Sequence, residues 1–306
     1  MNLNCLSPIK IKNPHFFYRR DGTIYDENEY AYLSVPCGKC PACIMRKKNE
    51  WTNRLLLESS VSYNNLFFTL TYDELNEPYV ESEDYGFLPV HRYSDVQRFL
   101  KRLRFMLYGS GKGDLRYFIA SEYTPTNFRS HYHGIFFNYP IDRNPQSDIL
   151  ESWQLGVECP IDQLRDGGTS YCCKYLFKQQ QYLHGQPPNF CKCSQRPPIG
   201  FGALTERQIQ YLKQNETDLF RSYKTGAISL PRTFKNKIFD REELSQISEK
   251  KINEYTDKVE AEILRLARRY GDERAALRQI DVFKQQLWTE LNRKMYRSYN
   301  KLNKLK

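Results

Sequence analysis

The chain of 306 residues lacks any apolar run that approaches the roughly 18 residues of a membrane-spanning helix. Its first residues, Met1 to Cys5, also lack the basic and then apolar pattern of a secretory signal peptide. The sequence therefore gives no support to a membrane protein or an exported one, and we expect a protein of the cytosol.

The sequence also lacks the motif of an ATP-driven motor. The segment from Gly109 to Gly113 resembles a phosphate-binding loop, but Met106 stands where the P-loop pattern has Gly. In addition, Lys112 is followed by Gly113 and not by Ser or Thr. We predict a flexible loop here and expect any unwinding of DNA to depend on another protein.

The nine cysteines are odd in number and accompany no export signal, which argues against a disulfide framework. Cys37, Cys40 and Cys43 are each separated by two residues, a spacing that is typical of zinc sites. The fourth thiolate could come from Cys5, which we favour, or from the Cys191-x-Cys193 pair. We predict a structural Zn²⁺; the alternatives are reduced thiols without a metal and an iron–sulfur cluster.

Acidic residues are the minority charge, with 36 of them against 46 Lys and Arg, and the net charge is +10. An excess of positive charge favours a polyanionic partner because phosphate contacts release counterions. Aromatic residues make up 14% of the chain and include 23 tyrosines, which suits single-stranded nucleic acid, whose bases stack on rings. The alternative is that most of these tyrosines lie on sheet surfaces.

Hydrophobic periodicity predicts three parts: an N-terminal cysteine-bearing lobe and helix at 1–60, an α+β domain at 61–239 and a charged helical C-terminal tail at 240–306. In the α+β domain we expect an antiparallel sheet of about five strands with helices on one face. The expected elements are helices near 44–61 and 171–181, a helix opened by a capping box at Ser94 to Gln97, strands at 66–72, 115–123 and 130–138, and a loop over 184–202.

The strongest chemical signal is His131-Tyr132-His133 in the strand predicted over 130–138. Residues two apart on a strand point to one face, so the two imidazoles can bind one metal ion. A hairpin would bring Glu122, near the end of the preceding strand, back beside them. Such a ligand set leaves positions open for a phosphate oxygen and water, and suits Mg²⁺ or Mn²⁺ as well as Zn²⁺. The alternative is a histidine pair without a metal and an exposed Glu122.

A second pattern, Tyr-x-x-Lys, occurs twice between Tyr171 and Lys178. On a helix, Tyr171 and Tyr175 share one face, as do Lys174 and Lys178. The pKa of tyrosine is about 10, and a neighbouring ammonium group favours the phenolate. A phenolate can attack a phosphorus atom that a metal ion has made more electrophilic. The alternative is an amphipathic helix with two packed tyrosines.

Taken in order, Phe67 to Tyr72, His131-Tyr132-His133 and the double Tyr-x-x-Lys resemble the three motifs of HUH endonucleases. The chain is similar in particular to replication initiators of the Microviridae, small single-stranded DNA phages, and of their gokushovirus branch. Val35 to Cys43, followed by Glu50 to Leu55, resembles the N-terminal signature of that family. The likeness covers residues 35–200.

The resemblance implies a metal-dependent enzyme that nicks one DNA strand, keeps the 5′ phosphate on a tyrosine and leaves a free 3′ hydroxyl. It implies that a central strand carries the metal ligands His131, His133 and Glu122, and that a helix carries the nucleophiles Tyr171 and Tyr175, assisted by Lys174 and Lys178. DNA contacts are expected at Thr69, Thr71, Tyr72 and Arg129. The expected partners are single-stranded DNA with the phage origin, a host helicase and a host DNA polymerase, all in the host bacterial cytoplasm.

Two other functions are compatible with these residues. A transposase or relaxase would use the same chemistry on the ends of mobile elements. A zinc-stabilised protein that binds single-stranded nucleic acid without catalysis would account for the charge, the tyrosines and the cysteines. It would not account for the joint occurrence of Glu122, the two histidines and the double Tyr-x-x-Lys.

Overall fold

The computed structural model describes residues 5–12, 32–109, 113–124, 127–164, 168–169, 173, 183–222, 226–272, 274–283, 285–286, 289–290 and 293. The chain divides into two compact units: the sheet unit, Lys48–Ile247, and the cysteine unit, Met1–Lys47 with Ser248–Lys306. Both borders fall inside long helices, α1 (Pro41–Val61) and α6 (Arg241–Tyr270). The sequence predicts borders at 60 and 239 instead, because each helix there belongs wholly to one part.

The sheet unit contains five antiparallel strands, and this confirms the predicted fold class. They are β3 (Asn65–Thr71), β6 (Arg116–Tyr123), β7 (Ser130–Phe137), β8 (Ile161–Gln163) and β9 (Cys191–Cys193). Their order in the sheet is β8-β3-β7-β6-β9, so β7 lies at the centre. The unit also has two hairpins, β4 (Tyr79–Ser82) with β5 (Gly86–Pro89) and β10 (Leu219–Ser222) with β11 (Gly226–Ser229), and the helices α2 (Tyr93–Tyr108), α3 (Pro145–Trp153), α4 (Glu206–Gln214) and α5 (Arg232–Ile238). In the cysteine unit, β1 (Ile9–Lys12) pairs with β2 (Tyr32–Val35).

One face of the sheet is covered by α2 and α3. The apolar residues of β3 alternate along the strand, so that Leu66, Phe68 and Leu70 all point to this face. They pack with Phe99 of α2 and Trp153 of α3 in one buried cluster. This face is the main core of the sheet unit, and its composition agrees with the period-two pattern of the sequence.

The opposite face is partly covered by α1. Leu55 of this helix is fully buried among residues of β6 and β7, including Phe118 and Ile135. Trp51 packs on the same cluster, with its ring centroid 5.3 Å from that of Phe118. The prediction that helices lie on one face only is therefore wrong. The reason is that β6 and β7 carry apolar residues on both faces at one end, and both faces there need cover.

The start of α2 differs from the prediction. The helix begins at Tyr93, and its N-cap residue Arg92 makes no side-chain cap bond. The capping box expected from Ser94 to Gln97 is therefore absent. The carboxylate of Asp95 is buried and accepts a hydrogen bond of 2.7 Å from the Tyr72 hydroxyl. A buried phenol thus takes the acceptor that the sequence assigns to the helix terminus.

The segment 184–202 is not a loop throughout. Residues 191–193 form β9, which pairs with β6 at the edge of the sheet. Three residues are too few for an alternation pattern, and neighbouring Pro and Gly residues favour a loop by composition. The predicted strands at 66–72, 115–123 and 130–138 are confirmed to within one residue at either end.

The charged tail is helical as predicted, since α6 runs from Arg241 to Tyr270. Within the sheet unit, Leu244 and Ile247 at the start of this helix pack in a third cluster, around Phe234 of α5 and Leu212 of α4. None of the described helices is both long enough and apolar enough to cross a lipid bilayer.

Gly134 gives a test of the packing at the centre of the sheet. A Cβ atom there would lie 2.2 Å from Cζ of Phe68, whose ring stacks on Phe136 at 4.2 Å. Because this ring is locked in the core, we expect Gly134→Ala to lower the free energy of unfolding by about 1–3 kcal/mol in urea titrations. Gly202→Ala is the matched control, because no atom lies within 4 Å of its Cβ position. Equal stabilities of the two variants would contradict this packing.

Candidate functional site

His131 and His133 lie on the central strand β7 and point to the face opposite the main core. Their rings are nearly parallel, with centroids 6.5 Å apart and an interplanar angle of 18°. Ile135 continues the same face and is fully buried. The β7 face therefore changes from polar to apolar along its length, as the spacing predicts, and the two histidines are half-buried at its polar end.

Two threonines of β3 hold these rings. Thr69 lies opposite His133 in the sheet, and Thr71 lies opposite His131. The Oγ1 of Thr69 is 3.1 Å from Nδ1 of His133, and the Oγ1 of Thr71 is 3.0 Å from Nδ1 of His131. A hydroxyl can accept a hydrogen bond from Nδ1–H, and that tautomer keeps the lone pair on Nε2 for a metal ion.

Glu122 of β6 joins the histidines from the other side. It pairs directly with His131 across the sheet, so their side chains share one face. Its Oε2 lies 3.2 Å from Nε2 of His133, and its side chain is only 7% exposed. The hairpin predicted from the sequence thus brings all three residues together. Two imidazole nitrogens and one carboxylate, each oriented by a neighbouring strand, form a donor set that could hold a divalent cation.

Of the expected DNA contacts, Tyr72 is placed elsewhere. It is 2% exposed on the core face, and its hydroxyl hydrogen-bonds to Tyr132 at 2.8 Å and to Asp95. Burial raises the pKa of Tyr72 above its ordinary value. Tyr72 is therefore a core residue, because the alternation of β3 sends it away from the histidines. Arg129 is partly exposed, and it donates to Glu77 and to the carbonyl of Tyr72, both at 2.9 Å.

The residues predicted as nucleophiles, Tyr171 and Tyr175, and their lysines Lys174 and Lys178, lie outside the described residues. Their neighbour Cys173 is described and is fully buried on the histidine face, in a cluster with Phe118, Ala120, Ile135 and Phe137. Burial raises the pKa of the Cys173 thiol to about 11, as expected of a packing residue. The chain between the two predicted nucleophiles therefore contacts the same face as Glu122 and the histidines.

Sequence reasoning missed a buried polar network beside this face. Arg54 of α1 is 5% exposed, lies 4.1 Å above the Trp51 ring and donates from Nε to the carbonyl of Ile199 at 3.2 Å. Burial lowers the pKa of its guanidinium. Glu58 accepts from Arg116 and, at 2.6 Å, from the Gly200 N–H. The signal was present in Glu50 to Leu55, but spacing alone gives no partner 145 residues away.

The cysteine unit contains a second group of ligands. The sulfur atoms of Cys5, Cys37, Cys40 and Cys43 all lie within 4.8 Å of one another. Two hydrogen bonds from the N–H groups of Cys40 and Lys39 are the largest causes that lower the pKa of Cys37, to about 6, whereas burial raises that of Cys43 to about 12. The four cysteines could bind a metal such as zinc. The fourth ligand in this group is Cys5, as favoured, since the Cys191-x-Cys193 pair belongs to the edge strand β9.

Known proteins resemble the central part of the chain. Residues 65–180, which include Thr69, Glu122 and both histidines, match the family model of the replication-associated protein of the ORF2 type. The chain is 32% identical over 176 residues to the replication-associated protein ORF2 of Spiroplasma virus 4, an alignment that covers 54% of each chain. It is 26% identical over 153 residues to the replication-associated protein VP4 of Bdellovibrio phage phiMH2K, covering 49% of this chain and 46% of that one.

A third relative, the replication-associated protein ORF4 of Chlamydia phage 1, is 23% identical over 190 residues, covering 56% of this chain and 44% of that one. The chain thus spans about half the length of the curated relatives it matches. No solved structure matches it. These matches confirm the resemblance that the motifs predicted: over the segment that carries Glu122, His131 and His133, the chain resembles the replication-associated proteins of bacterial viruses.

Proposed function

We propose that this chain initiates rolling-circle replication by nicking and rejoining single-stranded DNA at a phage origin. The observation that carries the proposal is the joining of Glu122, His131 and His133 on one sheet face by strand register. The buried Cys173 brings the segment of the two tyrosines to that face. The resemblance to phage replication-associated proteins supports DNA as the substrate and the host cytoplasm as the location.

Glu122, His131 and His133 would hold Mg²⁺ or Mn²⁺. When bound, such an ion polarises a phosphate oxygen and makes the phosphorus more electrophilic. The residues fit this role because each imidazole is fixed through its Nδ1 by a threonine, and because the carboxylate approaches Nε2 of His133. The chain therefore presents its donors in a fixed arrangement before any ligand binds, which reduces the entropy lost on binding.

In the proposed reaction the phenol oxygen of Tyr171 or Tyr175 attacks the phosphorus of one phosphodiester. The bond from phosphorus to the 3′ oxygen breaks, and the 5′ phosphate remains on the tyrosine. The phenol loses a proton and the released 3′ oxygen gains one. Lys174 and Lys178 would favour the phenolate through their positive charge. Reversal of the step by a 3′ hydroxyl rejoins DNA without another energy source, because the phosphotyrosine keeps the phosphate ester.

The two threonines are proposed here as positioning residues for the histidines. Each threonine hydroxyl lies against Nδ1 of the histidine opposite it, at 3.1 Å for Thr69 and 3.0 Å for Thr71. Groups that bond the second ring nitrogen of a ligating histidine fix its tautomer and orientation. This assignment replaces the direct DNA contact expected for the two threonines from the sequence.

The remaining partners follow from charge and from the missing motor. The net charge of +10 favours contact with a DNA backbone, and Arg129 is partly exposed near the end of β7. The sequence contains no complete P-loop. We therefore propose that a host helicase separates the strands and that a host polymerase extends the free 3′ hydroxyl.

The nicking proposal is tested with a single-stranded circle that carries the origin, incubated with Mg²⁺ or Mn²⁺. We expect a linear strand on a denaturing gel and a tyrosine peptide linked to DNA in the mass spectrum. Tyr171→Phe or Tyr175→Phe should remove the adduct at the first nucleophile, and His131→Ala should reduce cleavage by at least about 100-fold if the metal supplies several kcal/mol. Tyr63→Phe is the control, since its exposed hydroxyl bonds only Asp114 and the Asn138 carbonyl among described partners.

Two results would oppose this function. Tight DNA binding that persists in EDTA, with no strand cleavage under any metal, would indicate a nucleic-acid-binding protein without catalysis. Joined products between the ends of two mobile-element substrates, with no activity on the origin circle, would indicate a transposase or relaxase.

The positioning role of the threonines predicts a change in metal affinity. Replacing both Thr69 and Thr71 by Val keeps the side-chain shape but removes the hydroxyls, and we expect Mn²⁺ binding to weaken about 10–100-fold by calorimetry. Replacing both by Ser keeps the hydroxyls and should restore binding to within a few-fold. Equal Mn²⁺ affinity of the Val and wild-type proteins, both folded by circular dichroism, would refute the role.

A further inference from the structure

We infer that the cysteine unit carries one structural Zn²⁺ bound by Cys5, Cys37, Cys40 and Cys43. This site lies outside the residues proposed for DNA nicking, and its test is independent of that function. The inference rests on the distances between the sulfur atoms, on backbone hydrogen bonds to them, and on the small apolar core of the surrounding segment.

The distances suit a single tetrahedral ion. All four sulfur atoms lie within 4.8 Å of one another, and those of Cys5 and Cys40 are 3.8 Å apart. A Zn–S bond of about 2.3 Å in a tetrahedron places sulfur atoms about 3.8 Å from each other. The same separation is far longer than the bond of about 2.05 Å in a disulfide. The four thiols therefore surround a space of the size that one zinc ion fills.

Backbone groups are already arranged around these sulfur atoms. The N–H of Cys37 donates to Sγ of Cys5, and the N–H of Cys40 donates to Sγ of Cys37, both at 3.2 Å. Gly38 adopts a φ of 73° between these two cysteines, and this left-handed conformation turns the chain so that the second N–H faces back. Hydrogen bonds of this kind stabilise thiolates, which are the form that binds zinc.

The donor set also selects the class of metal. Four soft sulfur ligands without a carboxylate favour Zn²⁺ over Mg²⁺ or Mn²⁺, which prefer oxygen. The compact arrangement surrounds one ion and leaves no room for a cluster of several iron atoms. This site therefore differs in chemistry from the mixed nitrogen and oxygen donors of Glu122 and the histidines.

The local core explains why a metal would be needed here. Among the described residues, the buried part of this cluster consists of Cys40, Ala42 and Cys43, with Leu6 and Met45 packed against it. Such a core is too small to fix a segment by apolar burial alone, and metal binding can supply the missing folding energy. The ion would join the residue that precedes β1 to the first turn of α1.

The experiment measures metal content of the full chain, purified without chelator, by plasma mass spectrometry. We expect one zinc per chain in a His131→Ala, His133→Ala background, where the proposed nicking site is removed. Cys5→Ser and Cys37→Ser should lower zinc to below about 0.2 per chain, since three thiolates hold zinc far more weakly than four. Cys159→Ala is the matched control, because Cys159 is fully buried but belongs to the main core of the sheet unit.

A second measurement covers variants that fold poorly. In the wild-type chain loaded with Co²⁺, we expect the strong near-ultraviolet absorption of four thiolate ligands on a tetrahedral ion. A mercurial reagent should release zinc in step with the modification of four thiols. Zinc that stays at one per chain in Cys5→Ser and Cys37→Ser, release of zinc without modification of those thiols, or iron in place of zinc would each overturn the inference.

Discussion

The pairing of the central strand β7 with β3 on one side and β6 on the other is the constraint on which the candidate site depends. In this register Thr71 and Glu122 both lie opposite His131, and Thr69 lies opposite His133. A shift of one residue in either pairing would send the partner side chains to the other face of the sheet. The chemistry of the site is therefore fixed by backbone hydrogen bonds before any side chain is considered.

The opposite face of the sheet maintains that register through packing. Gly134, which lies next to His133, has no side chain, and the Phe68 ring occupies the space above it and stacks on Phe136. Nearby, the hydroxyls of Tyr72 and Tyr132 form a buried chain that ends at Asp95 of α2. Burial keeps both phenols neutral, because it raises the pKa of each, that of Tyr132 to about 12. The core thus anchors β7 to a helix directly behind the histidines.

Much of this arrangement follows from the sequence, and the failures have physical causes. Alternation places Glu122, His131 and His133 on one face, because the period of a strand does not depend on tertiary contacts. The roles of Thr69 and Thr71 depend on which strand lies beside β7, and local pattern does not give that pairing. Tyr72 obeys the same alternation, and its position on the core face was open to prediction. Arg54 and Glu58 bond residues more than 50 positions away, and β9 is too short to show a period.

The central claim is that strand register builds a metal site from two imidazoles. Its most direct test is electron spin echo spectroscopy of Mn²⁺ bound to the full chain with its histidines labelled with ¹⁵N. The account predicts coupling of the Mn²⁺ electron spin to two ¹⁵N nuclei in the wild-type protein and to one in His131→Ala. Bound Mn²⁺ that shows no ¹⁵N coupling, or a coupling unchanged by the substitution, would contradict it.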